Sequence, residues 1–190
     1  IHEDELLIPQ QWRKPRMAFL CSMADLFHEQ VPTEFIRKVF RVMESCPQHT
    51  FQVLTKRTRR LRELAPKLPW PANVWMGVTV EDQHNTYRIA DLLAVPARVR
   101  FLSCEPLLGA IPDLPLEGIH WVIVGGESGP GARVMKPDWV RSIRDRCERA
   151  GVPFYFKQWG GTCKAGNGRL LDGRVYDAMP PVLTLMTEPA

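Results

Sequence analysis

The sequence predicts an α/β fold, a partial (βα) TIM-like barrel with about six parallel strands, and three observations carry that prediction. Short apolar runs recur along the 190 residues, segments of helical period separate most of them, and polar or glycine residues follow each apolar run. The runs are Met17 to Cys21, Thr50 to Leu54, Val74 to Val80, Val99 to Cys104, His120 to Val124 and Val152 to Phe156. Each is too short for an independent helix and reads as a strand. Their starts lie about 21 to 33 residues apart, which suits right-handed crossovers between parallel strands buried on both faces.

The intervening helices follow from spacing and punctuation. Thr33 to Ser45 places Phe35, Ile36, Val39, Phe40 and Met43 on one stripe, and Asp138 to Ala150 does so with Trp139, Ile143 and Cys147. Thr33 with Glu34 begins the first of these helices. Pro137 sits where a first helical turn tolerates proline, and Gly151 before Val152-Pro153 ends the second. After Gly160 the glycines at 161, 166, 168 and 173 read as loop. The reading is one domain over 1–180 and a tail over 181–190.

Composition narrows the class. Apolar residues make up 45% and charged residues 24%, inside the globular range, and no run approaches the roughly 18 apolar residues of a membrane span. No membrane association is expected. The opening stretch IHEDELLIPQQ lacks the positive and apolar regions of a signal peptide, and the chain reads as a fragment or processed product. Cys21, Cys46, Cys104, Cys147 and Cys163 are scattered and odd in number, so a reducing cytoplasm is the expected location. A net charge of +4 permits a polyanionic partner without requiring one.

Candidate site residues sit where the strands end, the rim on which barrels of this class carry their chemistry. They are Ser22 and Asp25; Thr55, Lys56 and Arg57; Thr79, Glu81 and Asp82; Ser103 and Glu105; Gly125, Gly126 and Glu127; Lys157 and Gln158. Solvated loops after strands account for some of these. Val122 to Gly131, VIVGGESGPG, is the strongest local signal, because clustered glycines after a buried strand let a backbone approach a ligand. It matches neither the G-x-G-x-x-G fingerprint nor a Walker loop, and an ordinary wide turn is the alternative. Lys56 to Arg62 carries five positive charges, of which Lys56 and Arg57 adjoin the strand end and the others read as a solvated helix face. Cys104 reads as a structural thiol, Cys46-x-x-His49 as a helix end, and Trp75, Trp121 and Trp159 as packing.

The blocks SMADLFHEQVP, TFQVLTKR, VWMGVTVEDQ, RFLSCEPLLG, WVIVGGESGPGAR, GVPFYFKQWGG and LDGRVYDAMP resemble a phage and prophage family of unknown function, marked by a three-cysteine motif and related to radical S-adenosylmethionine enzymes. The resemblance runs from about Trp12 to Pro180. It implies a partial barrel whose first strand, upstream of Ile1, leads into a three-cysteine loop holding a 4Fe-4S cluster, with S-adenosylmethionine as cofactor. No compact cysteine trio stands in this chain, so radical activity is expected to be absent from it. The resemblance places Ser22 and Asp25 near the cofactor's amino group, Thr79 and Glu81 near its ribose, and Gly125, Gly126 and Glu127 near its adenine.

Three functions follow as expectations. The first is a radical S-adenosylmethionine-like enzyme domain of unassigned substrate. The second is a cluster-free module of phage origin binding a nucleotide, phosphate or nucleic acid on the same rim. The third is a metal-independent hydrolase or lyase using Glu81, Glu105, Glu127 and Lys157 as acid and base groups. Lys56 is a further catalytic candidate, and Ser103 joins Thr79 among the cofactor-binding candidates. A lost first strand would also leave an exposed apolar edge that must be covered by a partner chain or by self-association.

Overall fold

The computed structural model of the chain describes residues 5–20, 24–162 and 168–181. Its fold class is the expected one: α/β, with six strands in chain order in one sheet, as in a partial (βα) barrel. The elements are β1 (Met17–Leu20), α1 (Thr33–Glu44), β2 (Thr50–Thr55), α2 (Thr58–Leu64), β3 (Val74–Thr79), α3 (Tyr87–Leu93), β4 (Val99–Cys104), β5 (Trp121–Gly125), α4 (Pro137–Ala150) and β6 (Phe154–Gln158). The chain divides into two compact units, one of Ile1–Thr79 with Tyr87–Phe101, the other of Val80–Thr86 with Leu102–Ala190.

In the first unit β1 pairs with β2 and β2 with β3, both in parallel. Every residue of β3 is buried, the signature of a strand covered on both faces. Gly77 is required there, because a Cβ would fall 2.3 Å from the Phe101 ring. Helix α1 starts after Pro32, carries Glu34 against its dipole, and buries Ile36, Val39, Phe40, Val42 and Met43. Phe35, placed on the apolar stripe by spacing, is only half-buried. After the helix the Asn73 side-chain amide donates to the carbonyls of Met43, Cys46 and His49, which fastens the turn between α1 and β2 to the approach to β3. Buried His49 ties down the residues before β1: its Nδ1 accepts from the Arg16 N–H, and its Nε2 lies 3.2 Å from the Pro9 carbonyl.

In the second unit β5 pairs with β6 in parallel. Helix α4 opens on Pro137 and closes on Gly151, whose φ of 65° is the left-handed cap conformation, with Val152 N–H returning to the Cys147 carbonyl. That closure shifts the last strand. Val152 and Pro153 belong to the cap and the approach, so β6 begins at Phe154 and continues through Gln158, two residues beyond the expected end. The chain after Gly168 is more structured than its glycines predict. Leu171 is fully buried, the Phe156 N–H donates to the Tyr176 carbonyl, and Tyr155 bridges Asp177 in antiparallel fashion. Asp172 anchors this return segment to α4 through Arg141 and Arg144, at 2.7 and 2.8 Å.

Candidate functional site

In the first unit the polar strand ends form a closed hydrogen-bond cluster centred on Asp25. Its carboxylate accepts the Thr55 hydroxyl at 2.7 Å, the Phe27 N–H at 2.9 Å and the Lys56 N–H at 3.0 Å. Thr55 in turn accepts the Arg57 N–H. The carboxylate is thus committed to fastening the loop after β1 onto the end of β2. Thr79 is buried, and its carbonyl accepts from Arg88 at 2.7 Å. Lys56 is exposed beside this cluster. Ser22 lies outside the described residues.

The basic run that follows Lys56 is largely spoken for. Arg57 pairs with Glu29, Arg59 with Glu63 and Arg62 with Asp91. Arg60 turns its guanidinium onto the carbonyls of Phe27, His28 and Val31, pinning the 27–31 loop. Surface pairs of this kind contribute little stability, but their acidic partners lower the local positive potential that a polyanion needs.

In the second unit the end of β4 and the end of β6 meet. Glu105, immediately after β4, accepts Lys157 Nζ at 2.9 Å on one oxygen and Gln158 Nε2 at 2.6 Å on the other. Gln158 also donates to the Gly126 carbonyl at 3.2 Å. Gly125 stands against both partners, since a Cβ there would come within 3.1 Å of Glu105 and Gln158. The Glu105 side chain is 23% exposed and that of Lys157 is 45% exposed, so the pair opens to solvent at one side. The lysine uses one of its three N–H donors on Glu105.

Glu127 forms a second pair close by in sequence. Its carboxylate takes two bonds from the Arg133 guanidinium, at 2.9 and 2.8 Å, and one from the Arg133 backbone N–H at 2.9 Å. These bonds hold its pKa down to about 2, so it is a carboxylate throughout the neutral range. Glu81 is 7% exposed and lies within electrostatic reach of Arg133 and of the Cys104 thiol. Ser103 is buried, with its carbonyl accepting the Val80 N–H. Burial pushes the Cys104 thiol well up from its ordinary value and lifts Cys147 to about 12, so neither is a nucleophile or a ready thiolate ligand.

The glycine-rich turn makes a close approach within the chain. A Cβ at Gly126 would sit 1.9 Å from the Trp159 carbonyl oxygen, and one at Gly160 would sit 2.1 Å from the Glu127 carbonyl oxygen. Two backbones pass in contact there, and Gly126 N–H, Gly129 N–H and Gly161 N–H all bond to neighbouring carbonyls. Glycine at 126 and 160 is what lets the two backbones come this near. Gly129 and Gly131, with φ of 120° and 75°, serve the turn that returns Arg133 to Glu127.

The sequence-predicted residues thus separate. Glu105, Gly125, Gly126, Lys157 and Gln158 are brought together, with Glu127, Glu81 and Ser103 in the same unit. Asp25, Lys56 and Thr79 belong to the other unit. Arg133, six residues after the rim carboxylate Glu127, is its partner, as expected where Glu127 is read as a turn residue paired for structural reasons.

The sequence matches the family described as "Protein of unknown function (DUF5131)" over residues 1–180. The chain belongs to that family. No curated protein and no solved structure matches it. The DUF5131 match spans both units, including the two rim pairs Glu105–Lys157 and Glu127–Arg133.

Proposed function

We propose that the protein is a radical S-adenosylmethionine-like enzyme domain in which the strand ends of the second unit bind the nucleoside cofactor. The observation that supports this reading is the Glu105–Lys157–Gln158 cluster against Gly125. Its donor set matches the chemistry of a nucleoside carrying an amino-acid tail. Lys157 offers N–H groups to a carboxylate, while Glu105 and Glu127 offer acceptors to ribose hydroxyls or an ammonium. When bound, the cofactor would supply the bond homolysis, and the chain would orient it and limit water.

The described residues do not match an iron-sulfur cluster. Cys46, Cys104 and Cys147 are each buried and free, and among the described residues no group of three or more His, Cys, Asp and Glu side chains is arranged to hold a metal ion. Cys21 and Cys163 lie outside the described residues. No radical step is therefore assigned to residues of this chain. The alternative, a cluster-free module, uses the same cluster for a nucleotide or phosphate; the paired state of Arg57, Arg59 and Arg62 favours such a small ligand over a nucleic acid.

Calorimetric titration of S-adenosylmethionine and of simple nucleotides into wild type, Glu105→Gln, Lys157→Met and Glu127→Gln tests the proposal. The expected result is measurable binding of S-adenosylmethionine to wild type and a loss of about tenfold in the first two variants, as for one charge-assisted contact. Binding that is unchanged in both would remove the cluster from the site. Iron and sulfide content of the intact gene product separates the radical enzyme from the cluster-free module.

A further inference from the structure

We propose that Arg169 anchors an oxyanion-binding site, taking the carboxylate or phosphate group of a ligand on the side-on fork of its guanidinium. The observation that carries this is a pair of orphaned donors. Among the described residues neither Nε nor Nη2 of Arg169 has a hydrogen-bond partner, and both nitrogens are shut off from solvent. The guanidinium carbon lies 5.2 Å from the centroid of the Tyr155 ring, a cation–π contact that steadies the charge but offers no lone pair to either N–H. Charged donors withdrawn from water without acceptors are strongly disfavoured, and one ring offsets only part of that cost.

Three other arginines of this unit show what the same two nitrogens ordinarily do. Arg133 sets Nε and Nη2 on the Glu127 carboxylate at 2.9 and 2.8 Å, and Arg141 sets them on Asp172 at 3.0 and 2.7 Å. Arg144 sets them on Asp145 at 2.8 and 2.7 Å. The fork formed by these nitrogens matches the oxygens of a carboxylate or a phosphate. Arg169 presents the same fork with no acidic side chain on it. Its backbone is fixed from both sides, because the Trp159 N–H donates to the Gly168 carbonyl at 3.2 Å and Trp159 Nε1 to the Leu170 carbonyl at 2.9 Å. The platform is fixed too, with Tyr155 packed edge-on against Trp121 at 5.8 Å. Tyr155 and Lys157 alternate with the buried Phe154 and Phe156, so the ring under Arg169 shares its face of β6 with Lys157, a second cation that favours an anion there. Because neither nitrogen is bonded, turning the fork onto an anion breaks no hydrogen bond of Nε or Nη2.

Selective NMR observation of the arginine Nε–Hε groups in the full chain tests this, during titration with inorganic phosphate and, separately, acetate at constant ionic strength. These probes make the result independent of S-adenosylmethionine binding. The expected outcome is a saturable shift of the Arg169 resonance with at least one probe at up to tens of millimolar, while Arg133, Arg141 and Arg144 stay in place. Tighter binding of phosphate would mark a phosphorylated ligand, and tighter binding of acetate a carboxylate-bearing one. Arg169→Lys keeps the charge without the fork and should weaken binding of that probe by about tenfold, read at the Tyr155 amide. Arg169→Met should resist denaturant at least as well as wild type, because it keeps the packing on Tyr155 and removes the orphaned donors. No saturable shift with either probe, equal shifts of all four arginines, unchanged binding in Arg169→Lys or a strongly destabilised Arg169→Met would each overturn the proposal.

Discussion

The polar strand ends of the two units differ in what their carboxylates are doing. Asp25 accepts from its own neighbourhood, two backbone N–H groups and a buried threonine hydroxyl, all of which belong to the loop after β1 and the end of β2. Glu105 is held by two side chains, and one of them, Lys157, faces solvent. Backbone donors fix a carboxylate to the fold, whereas a half-exposed lysine leaves a charged group that can exchange partners. The difference teaches that a polar residue after a strand is a site candidate only when its partners are themselves accessible. It sets Asp25, which fastens a loop to β2, apart from the Glu105–Lys157 pair, on which the proposed site rests.

The largest expected effect lies beneath the second cluster. Gly126→Ala forces a methyl group into the Trp159 carbonyl and should cost about 3 kcal/mol or more in chemical denaturation, since backbone cannot yield as a side-chain tip can. Near-native stability in that variant would mean the β5 and β6 ends do not touch as described. Asp25→Ala should come next, at about 2 kcal/mol, because it leaves a buried hydroxyl and backbone donors without an acceptor. The contrast with Lys157→Met is the sharp part. That change should move stability by less than about 1 kcal/mol, as expected for a partly exposed pair, while lowering ligand affinity. A Lys157 variant as destabilised as the Asp25 variant would erase the distinction between the two regions.

Acid titration gives a smaller and differently directed effect. Asp172 is held down to about 2 chiefly by its hydrogen bonds to Arg141 and then to Arg144. A carboxylate with a depressed folded value contributes stability that is complete above its unfolded value, about 4, and is lost as pH falls through 4 toward 2. Asp172→Asn should flatten that part of the stability profile, and an unchanged acid limb would argue against the anchor between α4 and the return segment. The smallest expected signal is chemical. Cys104 and Cys147 should resist thiol reagents at pH 8 in the native protein and react only on unfolding, and labelling under native conditions would contradict their burial.

The strands were legible because each carries its own apolar run, and four of the six begin where that run begins: β1, β2, β3 and β4. β6 starts two residues later than its apolar run because Gly151 and Val152 complete a helix cap, a motif that depends on one backbone conformation, and it runs on through Lys157 and Gln158, polar residues that carry no apolar signal. Of the site, the residue types at strand ends were readable from spacing. Their partnerships were not. Glu105 and Lys157 are 52 residues apart, and only the parallel neighbourhood of strand ends brings them to 2.9 Å. The glycines at 125 and 126 carried a correct message of close approach, but sequence does not say whether the approaching group is a ligand or, as here, Trp159 and Gln158.

The most direct test of the proposed site is a map of backbone amide chemical shifts during titration with S-adenosylmethionine. The account predicts saturable changes centred on residues 105, 125–127 and 157–158, with residues 25, 55 and 56 unmoved. Changes centred on Asp25 and Thr55, or none at any ligand concentration up to millimolar, would contradict it.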